Sequence, residues 1–311
     1  MARTFHRVAT LASGEDFGLH VHEIRGSRPG PVVGISSGVH GDEFNGPEII
    51  YRFLTSLDAS QLRGTLRVLP VANPLSYAAQ ARFTPQDGVN LNRVIPGSPD
   101  GTLTERVAHV LATRFLDGLE AYVDVHSGGA LPTVDYAYIL NAEHLSRAAG
   151  FPVLYRPTKN LEGTHYDGTT ASYTQAHDVP SVVLEIGGGA VAQESYVRRG
   201  VAALVNILRT LGALDGDPAP APAQTVVRRI LILRPSQGGI LLPEVTELGS
   251  VVPKDTVLGR VVSPYTLETH EEIRSPLERG LMILAHLRAN KVDPGDYGYM
   301  VGDMATAEGA P

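Results

Sequence analysis

Short continuous apolar runs alternate along the first two thirds of the chain with longer segments whose apolar residues recur at helical spacing. Pro31-Val32-Val33-Gly34-Ile35 is an apolar run of strand length, and residues 49–57 follow it with helical periodicity. Residues 64–72 predict a second strand, closed by Asn73-Pro74. An amphipathic helix is predicted over 103–119, with Thr104 as its cap and Val107, Val110, Leu111 and Phe115 along one side. Ala121-Tyr122-Val123-Asp124-Val125, residues 136–140 and Ser181-Val182-Val183-Leu184-Glu185-Ile186 read as further strands. Residues 145–149 belong to a helix, and 196–211 form a closing one with Val197, Val201, Leu204, Ile207 and Leu208 turned inward. Strand and helix in alternation predict an α/β fold, a mostly parallel or mixed sheet flanked by helices. Residues 19–24 alternate loosely and are expected at the edge of that sheet.

The pattern changes after residue 214. Asp215-Gly216-Asp217-Pro218-Ala219-Pro220-Ala221-Pro222-Ala223 is a semi-rigid Pro/Ala linker. Beyond it, helical periodicity gives way to short β-like runs separated by turn pairs such as Gly238-Gly239 and Pro253-Lys254. The division expected is a first domain over 1–214, a linker over 215–224 and a small all-β domain over 225–311. GGILLPEVTELGSVVPKDTVLGRVVSPY, followed by IRSPLERGLMIL, resembles a biotinyl- or lipoyl-type barrel-sandwich. Carriers of that type take their cofactor on a lysine at an exposed hairpin. Residues 263–272 hold no lysine and Lys254 lies in an earlier turn, so an unmodified module is expected, acting as a cap over the site or as an oligomer interface.

With 311 residues, 43% hydrophobic and 19% charged, the chain has ample material for a core. A formal net charge of −7 and the absence of a basic run argue against nucleic acid as the partner. No apolar run reaches the roughly 18 residues of a membrane span. Residues 1–14 lack the apolar core of a signal peptide, so a cytoplasmic protein is expected, without membrane contact. A homo-oligomer, most simply a symmetric dimer, is the commonest assembly for such a chain. Cysteine is absent, which excludes disulfides and thiolate metal sites and leaves His and carboxylate to hold any metal.

Candidate chemistry gathers where the predicted strands end. His40 and Glu43 follow the first apolar run with two residues between them. If Gly41 and Asp42 lie in a first helical turn, imidazole and carboxylate project from one side, about 5–6 Å apart, and one cation can bind both. The pair also fits a solvated helix start whose acidic residues complement the dipole. Zinc accepts His nitrogen and carboxylate oxygen, and a catalytic zinc commonly takes three protein ligands. His126 is the third candidate, because ligands of open α/β sheets collect outside the carboxyl ends of strands. Asp124, two residues earlier and on the same strand face, is a candidate acceptor for the other N–H of His126, although an acidic residue that merely ends a strand reads the same way.

Glu185 closes an apolar strand, a costly place for a carboxylate unless it is paired or used, and so is either a general base and acid or half of a buried ion pair. The loop over 75–100 carries Arg82 and the tetrad Asn90-Leu91-Asn92-Arg93. Two arginines there suit carboxylate recognition through the guanidinium fork, as well as ordinary surface ion pairing. His144, His165 and His177 show no ligand spacing, and the polar loop over 164–170 is expected to line a pocket.

GVHGDE, NPLSYAAQAR, NLNRVIPG, DVHSGG and LEIGGG, in that order between Val32 and Gly189, resemble the succinylglutamate desuccinylase and aspartoacylase family, a deacylase branch of the zinc-carboxypeptidase-like fold. The resemblance implies one zinc per chain held by His40, Glu43 and His126, with Glu185 as general base and acid. It implies that Arg82 polarises the scissile carbonyl and that Asn92 and Arg93 grip a substrate carboxylate. Asn90 stands where many relatives carry Asp, and Ile95 replaces a common Phe. The activity implied is removal of an acyl group, acetyl or succinyl in type, from the nitrogen of a small amino acid or related carboxylate, acetylated diamino acids included. A zinc carboxypeptidase acting on short peptides and a non-catalytic metal- or ligand-binding protein are the other readings.

Overall fold

The computed structural model describes residues 1–157, 166–188 and 191–308; Thr164, His165 and Gly189, singled out above, lie outside them. The chain opens with two antiparallel strands, β1 (Ala2–Thr10) and β2 (Asp16–Arg25), and continues through β3 (Arg28–Ser37), α1 (Asn45–Ser56) and β4 (Arg63–Leu69). A short helix, α2 (Pro74–Ala78), and a long loop lead to α3 (Leu103–Val110), β5 (Ala121–His126), β6 (Thr133–Tyr138), α4 (Glu143–Ala148) and β7 (Val153–Tyr155). Then come α5 (Thr170–Ala176), β8 (Ser181–Gly188) and α6 (Glu194–Thr210). The strands lie in the order β1-β2-β4-β3-β5-β8-β6. The four at the centre, β4, β3, β5 and β8, are parallel, while β2 and β6 flank them antiparallel. This is the mixed sheet that the alternation of strand and helix predicts.

Parallel strands need cover on both faces, and here strand alternation sorts the two. Val33, Ile35, Val123, Val125, Val182 and Leu184 pack with Ile49, Ile50 and Phe53 of α1 and with Leu204, Ile207 and Leu208 of α6. Their neighbours along each strand point the other way. On that side Tyr122 joins a second core built around α3, where it meets the Phe115 ring edge-on at 6.3 Å between centroids. The other side chains on this face, Ser36, Asp124, His126, Val183 and Glu185, are mostly polar. A face that is apolar at one end and polar at the strand termini places the site before any loop is considered.

The structure corrects three details. The sheet edge is β1, paired along its length with β2, so residues 19–24 lie inside the sheet; exposed polar residues of β1 hide it from an apolar-pattern reading. The helix predicted over 103–119 stops being α-helical at Val110 and continues as a wider π-wound stretch, Leu111–Leu116, that buries Leu111, Ala112, Phe115 and Leu116. Its cap is Thr102, in a reciprocal capping box with Glu105, whereas Thr104 is buried and donates through N–H and hydroxyl to Asp87 at 2.8 Å each.

After the Pro/Ala stretch, β9 (Thr225–Val227) pairs with β7. The remaining strands are β10 (Ile230–Leu233), β11 (Gly239–Pro243), β12 (Val251–Pro253), β13 (Val257–Val262), β14 (Thr269–Arg274), β15 (Arg279–Ala285), β16 (Asn290–Val292) and β17 (Tyr299–Asp303). Strands β14-β13-β11-β16 form a separate four-stranded antiparallel sheet. Strands β15, β17 and β10 instead extend the main sheet from β6, through Leu284 opposite Val134 and Ala285 opposite Thr133. The C-terminal strands are thereby joined to the edge of the sheet nearest the polar face. Lys254 lies in the turn after β12 and pairs with Glu278 at 3.0 Å. No helix among the described residues is long and apolar enough to cross a membrane.

Candidate functional site

The first pair of candidate ligands is held by a turn, which corrects the expectation of a helical one. Because α1 begins at Asn45, His40 and Glu43 precede it, and the N–H of Glu43 donates to the carbonyl of His40 at 3.4 Å. The closed turn brings residues i and i+3 together as a helix does. The loop after β4 clamps it: Asn73 N–H donates to Gly38 O and Gly41 N–H to Ala81 O, each at 2.9 Å. Gly41 is obligatory there, since a Cβ would fall 2.0 Å from the carbonyl carbon of Ser76.

The second half of the site rides on adjacent parallel strands. His126 of β5 stands in register with Glu185 of β8, and the alternation that turns them to the polar face also turns Asp124 there. His126 Nε2 lies 3.1 Å from Asp124 Oδ2, so the acceptor expected for this ring is in place. Asp124 is itself fully buried and accepts from Ser36 Oγ at 2.9 Å and from the Thr170 hydroxyl.

Both imidazoles converge on Glu43. His40 Nδ1 is 2.7 Å from Glu43 Oε1 and His126 Nδ1 is 2.9 Å from Oε2, and Ser127 N–H donates to Oε2 at 3.1 Å. One ligand atom from each of the three residues lies within 4.8 Å of the other two, and all three side chains are buried. Two ring nitrogens and a carboxylate oxygen without sulfur form a donor set that one cation of borderline hardness satisfies. The far nitrogens are also engaged, as metal-binding histidines require: Asp124 backs His126, and Asn90 Oδ1 lies 3.1 Å from His40 Nε2. The group can therefore hold one metal ion.

Electrostatics follow the same geometry. Burial opposes ionisation of Glu43, but His40 and then His126 hold its pKa well below the ordinary carboxylate value. Burial likewise opposes charge on His126, and the carboxylates of Asp124 and Glu43 outweigh it, raising its pKa well above the usual imidazole range. His40 is pushed down, first by burial. Burial pushes the Glu185 carboxyl up to about 8. Two buried polar atoms beside the group, Asp42 Oδ1 and Ser127 Oγ, have no hydrogen-bond partner among the described residues, and both residues border the same cavity.

Arg82, Asn92 and Arg93 complete the set. All seven residues singled out from the sequence line one cavity of about 520 Å³. Arg82 donates to Glu43 Oε1 at 3.2 Å. Asn92 is nearly buried and its Oδ1 accepts from the N–H of Thr170 at 3.0 Å. Arg93 donates to the carbonyl of Asn92 and has no carboxylate partner among the described residues. Burial, then the charge of Arg82, lowers its pKa. Of the loop expected to line the pocket, Tyr166, Thr169 and Thr170 do so, whereas His144 and His177 are exposed and belong to no candidate metal-ligating group among the described residues.

Sequence reasoning gave several residues no specific role, although Thr170 falls in the loop expected to line the pocket. Asn90 was noted only as a departure, yet it orients His40. Thr170 ties two halves of the site, its hydroxyl donating to Asp124 and its N–H to Asn92. Its position after Thr169, which caps α5 in a box with Ser172, was the available signal. Arg234, His286 and Tyr297, from the C-terminal strands and their loops, also border the cavity, and no local motif marks them.

Fold and site together define an α/β protein with a candidate metal group at the carboxyl ends of its parallel strands. The chain belongs to the succinylglutamate desuccinylase/aspartoacylase family, whose catalytic-domain model matches residues 29–211. Over 100 residues it is 35% identical to the N-alpha-acetyl-L-2,4-diaminobutyric acid deacetylase of Halomonas elongata. That stretch is 32% of this chain and only 29% of the length of the relative. Among solved structures, the product-bound ectoine utilization protein EutE (DoeB) of Ruegeria pomeroyi superposes with a TM-score of 0.84 at 24% identity, over 97% of this chain and 93% of that one. A succinylglutamate desuccinylase/aspartoacylase of Rhodobacter sphaeroides gives 0.83 at 22% identity, over 96% and 94%. At those identities the structures establish a shared fold.

Proposed function

We propose that the protein is a zinc-dependent amidohydrolase that removes an acyl group, acetyl or succinyl in type, from the nitrogen of a small amino acid or related carboxylate. The observation that carries this reading is the convergence of His40, Glu43 and His126 in one cavity with a carboxyl raised to about 8 and an arginine, Arg93, that has no anionic partner among the described residues. The name of the Halomonas elongata relative is consistent with it.

His40, Glu43 and His126 would hold the zinc, which when bound would supply Lewis acidity toward water and an amide carbonyl. The protein groups do the rest. Glu185 accepts the proton of the attacking water and returns it to the leaving nitrogen, a task that a carboxyl titrating near neutrality performs in both directions. Arg82, engaged by Glu43 through one guanidinium nitrogen, keeps further N–H donors for the negative charge that develops on the carbonyl oxygen. Arg93 binds the carboxylate of the substrate, and Asn92, fixed by Thr170, positions it. Arg234 and Tyr297 also border the cavity, with the Arg234 guanidinium 4.4 Å from the Tyr297 ring centroid. Their bulk, brought to the site from the C-terminal strands, suits small substrates better than extended peptides.

Metal analysis with hydrolysis assays on N-acetyl, N-succinyl and N-formyl amino acids and short peptides tests the reading. One zinc per chain and cleavage of a small N-acyl amino acid are expected. Peptide trimming alone would make the protein a carboxypeptidase, and an absence of stoichiometric metal would leave a binding protein.

A further inference from the structure

The register between β8 and β6 describes what lies beside Glu185. Tyr136 is directly opposite Glu185, and Ala137 is opposite Leu184. One step further along the same face come Val183 on β8 and Tyr138 on β6, because alternate residues share a face. Leu140 follows Tyr138 just past the end of its strand. From the other side Ala171, in the first turn of α5, and Tyr166 close on them, and these five residues pack into one apolar cluster. All five border the cavity.

The slot lies beside the loop that carries Arg93: Thr170, next to Ala171, donates its N–H to Asn92 Oδ1 at 3.0 Å, and the N–H of Ile95 donates to Gly168 O at 2.9 Å, two residues from Tyr166. None of the five carries a charge. The Tyr138 hydroxyl accepts from Tyr136 at 3.2 Å. The Tyr138 and Tyr166 rings meet edge-on at 6.1 Å. A cavity of about 520 Å³ lies within the roughly 300–1,000 Å³ of pockets that enclose drug-sized ligands, larger than an acetylated two- or three-carbon amino acid requires.

We infer that this slot takes the side chain of the amino acid released, and that the preferred substrates are N-acyl amino acids with a large apolar or aromatic side chain. The inference rests on the deacylase reading in one respect, the placement of the substrate carboxylate on Arg93. An amino acid anchored there, with its nitrogen toward Glu185, has its side chain directed at Tyr138, Leu140 and Val183. A cationic or anionic side chain would lose its hydration against that wall without a countercharge among the five.

The test compares kcat/KM for N-acetyl-L-phenylalanine and N-acetyl-L-leucine with that for N-acetyl-L-alanine, N-alpha-acetyl-L-2,4-diaminobutyrate and N-acetyl-L-aspartate on the zinc-loaded full chain. In parallel, calorimetry measures binding of free L-phenylalanine and free L-2,4-diaminobutyrate. The apolar substrates are expected to exceed the other three by roughly tenfold or more, the scale a well-filled apolar pocket provides. Ala171→Phe, which fills the slot, should cut the phenylalanine-to-alanine ratio at least tenfold. Leu140→Gln, at a half-buried position, should lower the same ratio should Ala171→Phe fail to fold. Equal rates, or a preference for the charged substrates, would overturn the inference. If no N-acyl compound is cleaved, the hydrolytic reading fails, and the calorimetric preference still decides for or against the slot.

Discussion

His40 and His126 reach the same carboxylate by different constructions. His126 sits on a central strand, and its far nitrogen meets a carboxylate two residues earlier on that strand, so backbone regularity alone aligns ligand and support. His40 sits in a turn, its far nitrogen meets the neutral amide of Asn90, fifty residues away in a long loop, and the turn depends on further contacts to Ala81 and Asn73. The strand side is thus fixed by pleat and register, and the loop side by many separate hydrogen bonds. Thr170 connects them, since it touches Asp124 on one side and Asn92 on the other. Substitutions on the two sides should therefore differ in size and in what rescues them.

The largest effect belongs to the strand side. Glu185→Gln should lower kcat roughly 100- to 10,000-fold with zinc content unchanged; a metal-loaded variant with ordinary turnover would remove Glu185 from the reaction. The same residue has a signature in stability. In chelator-treated protein its folded pKa of about 8 lies above the ordinary 4.5. A carboxyl shifted upward stabilises the fold fully below about pH 4.5, where both states are protonated. That contribution is lost as the pH climbs to about 8, because the unfolded chain ionises and the folded one does not. The loss over this window is at most about 5 kcal/mol. Urea unfolding across the window should show wild type losing stability relative to Glu185→Gln; parallel curves would mean that the carboxyl is already ionised in the fold.

Support for His126 comes next. Asp124→Asn puts an amide where two oxygens now accept from Ser36, Thr170 and His126, so one donor must face another. Zinc affinity, read by chelator competition, should fall about 10- to 100-fold. Thr170→Val removes one donor to that carboxylate and keeps the N–H to Asn92. A hydrogen bond to a charged group is worth about 1.5–3 kcal/mol, so affinity should drop roughly tenfold and Thr170→Ser should restore it. If Ser fails to rescue, the contribution of Thr170 is packing and not its hydroxyl.

What the sequence disclosed follows the same division. The strands carrying His126 and Glu185, the two helices behind them and the mixed sheet were legible because burial on both faces imposes continuous apolar runs. Asp124 was legible as well, through a period of two. On the loop side His40, Glu43, Arg82, Asn92 and Arg93 were recognised from spacing and resemblance, but the reason given for the His40–Glu43 spacing was a helical turn that does not exist. Nothing local in the sequence could pair Asn90 with His40, or bring Arg234, His286 and Tyr297 to the cavity, because those contacts arise from packing of distant segments. The strand β1 escaped for a simpler physical reason: exposed along most of its length, it carries no apolar alternation.

The smallest effect expected probes the loop side directly. Asn90 Oδ1 takes both the ring nitrogen of His40 at 3.1 Å and the N–H of Asn92 at 2.9 Å, and the shorter-range of these shapes the turn that carries Asn92 and Arg93. An aspartate at this position can accept from both, so Asn90→Asp should leave the loop intact while giving His40 the kind of charged acceptor that His126 already has. Charge-assisted hydrogen bonds are roughly twice as strong as neutral ones, and zinc affinity should rise about two- to fivefold. The added charge also lies two and three residues from Asn92 and Arg93, so KM for an anionic substrate should rise by a similar factor. Tighter zinc with weaker substrate would show that a neutral amide at residue 90 trades ligand strength for anion binding, and weaker zinc would show that the acceptor behind His40 is limited by geometry and not by charge.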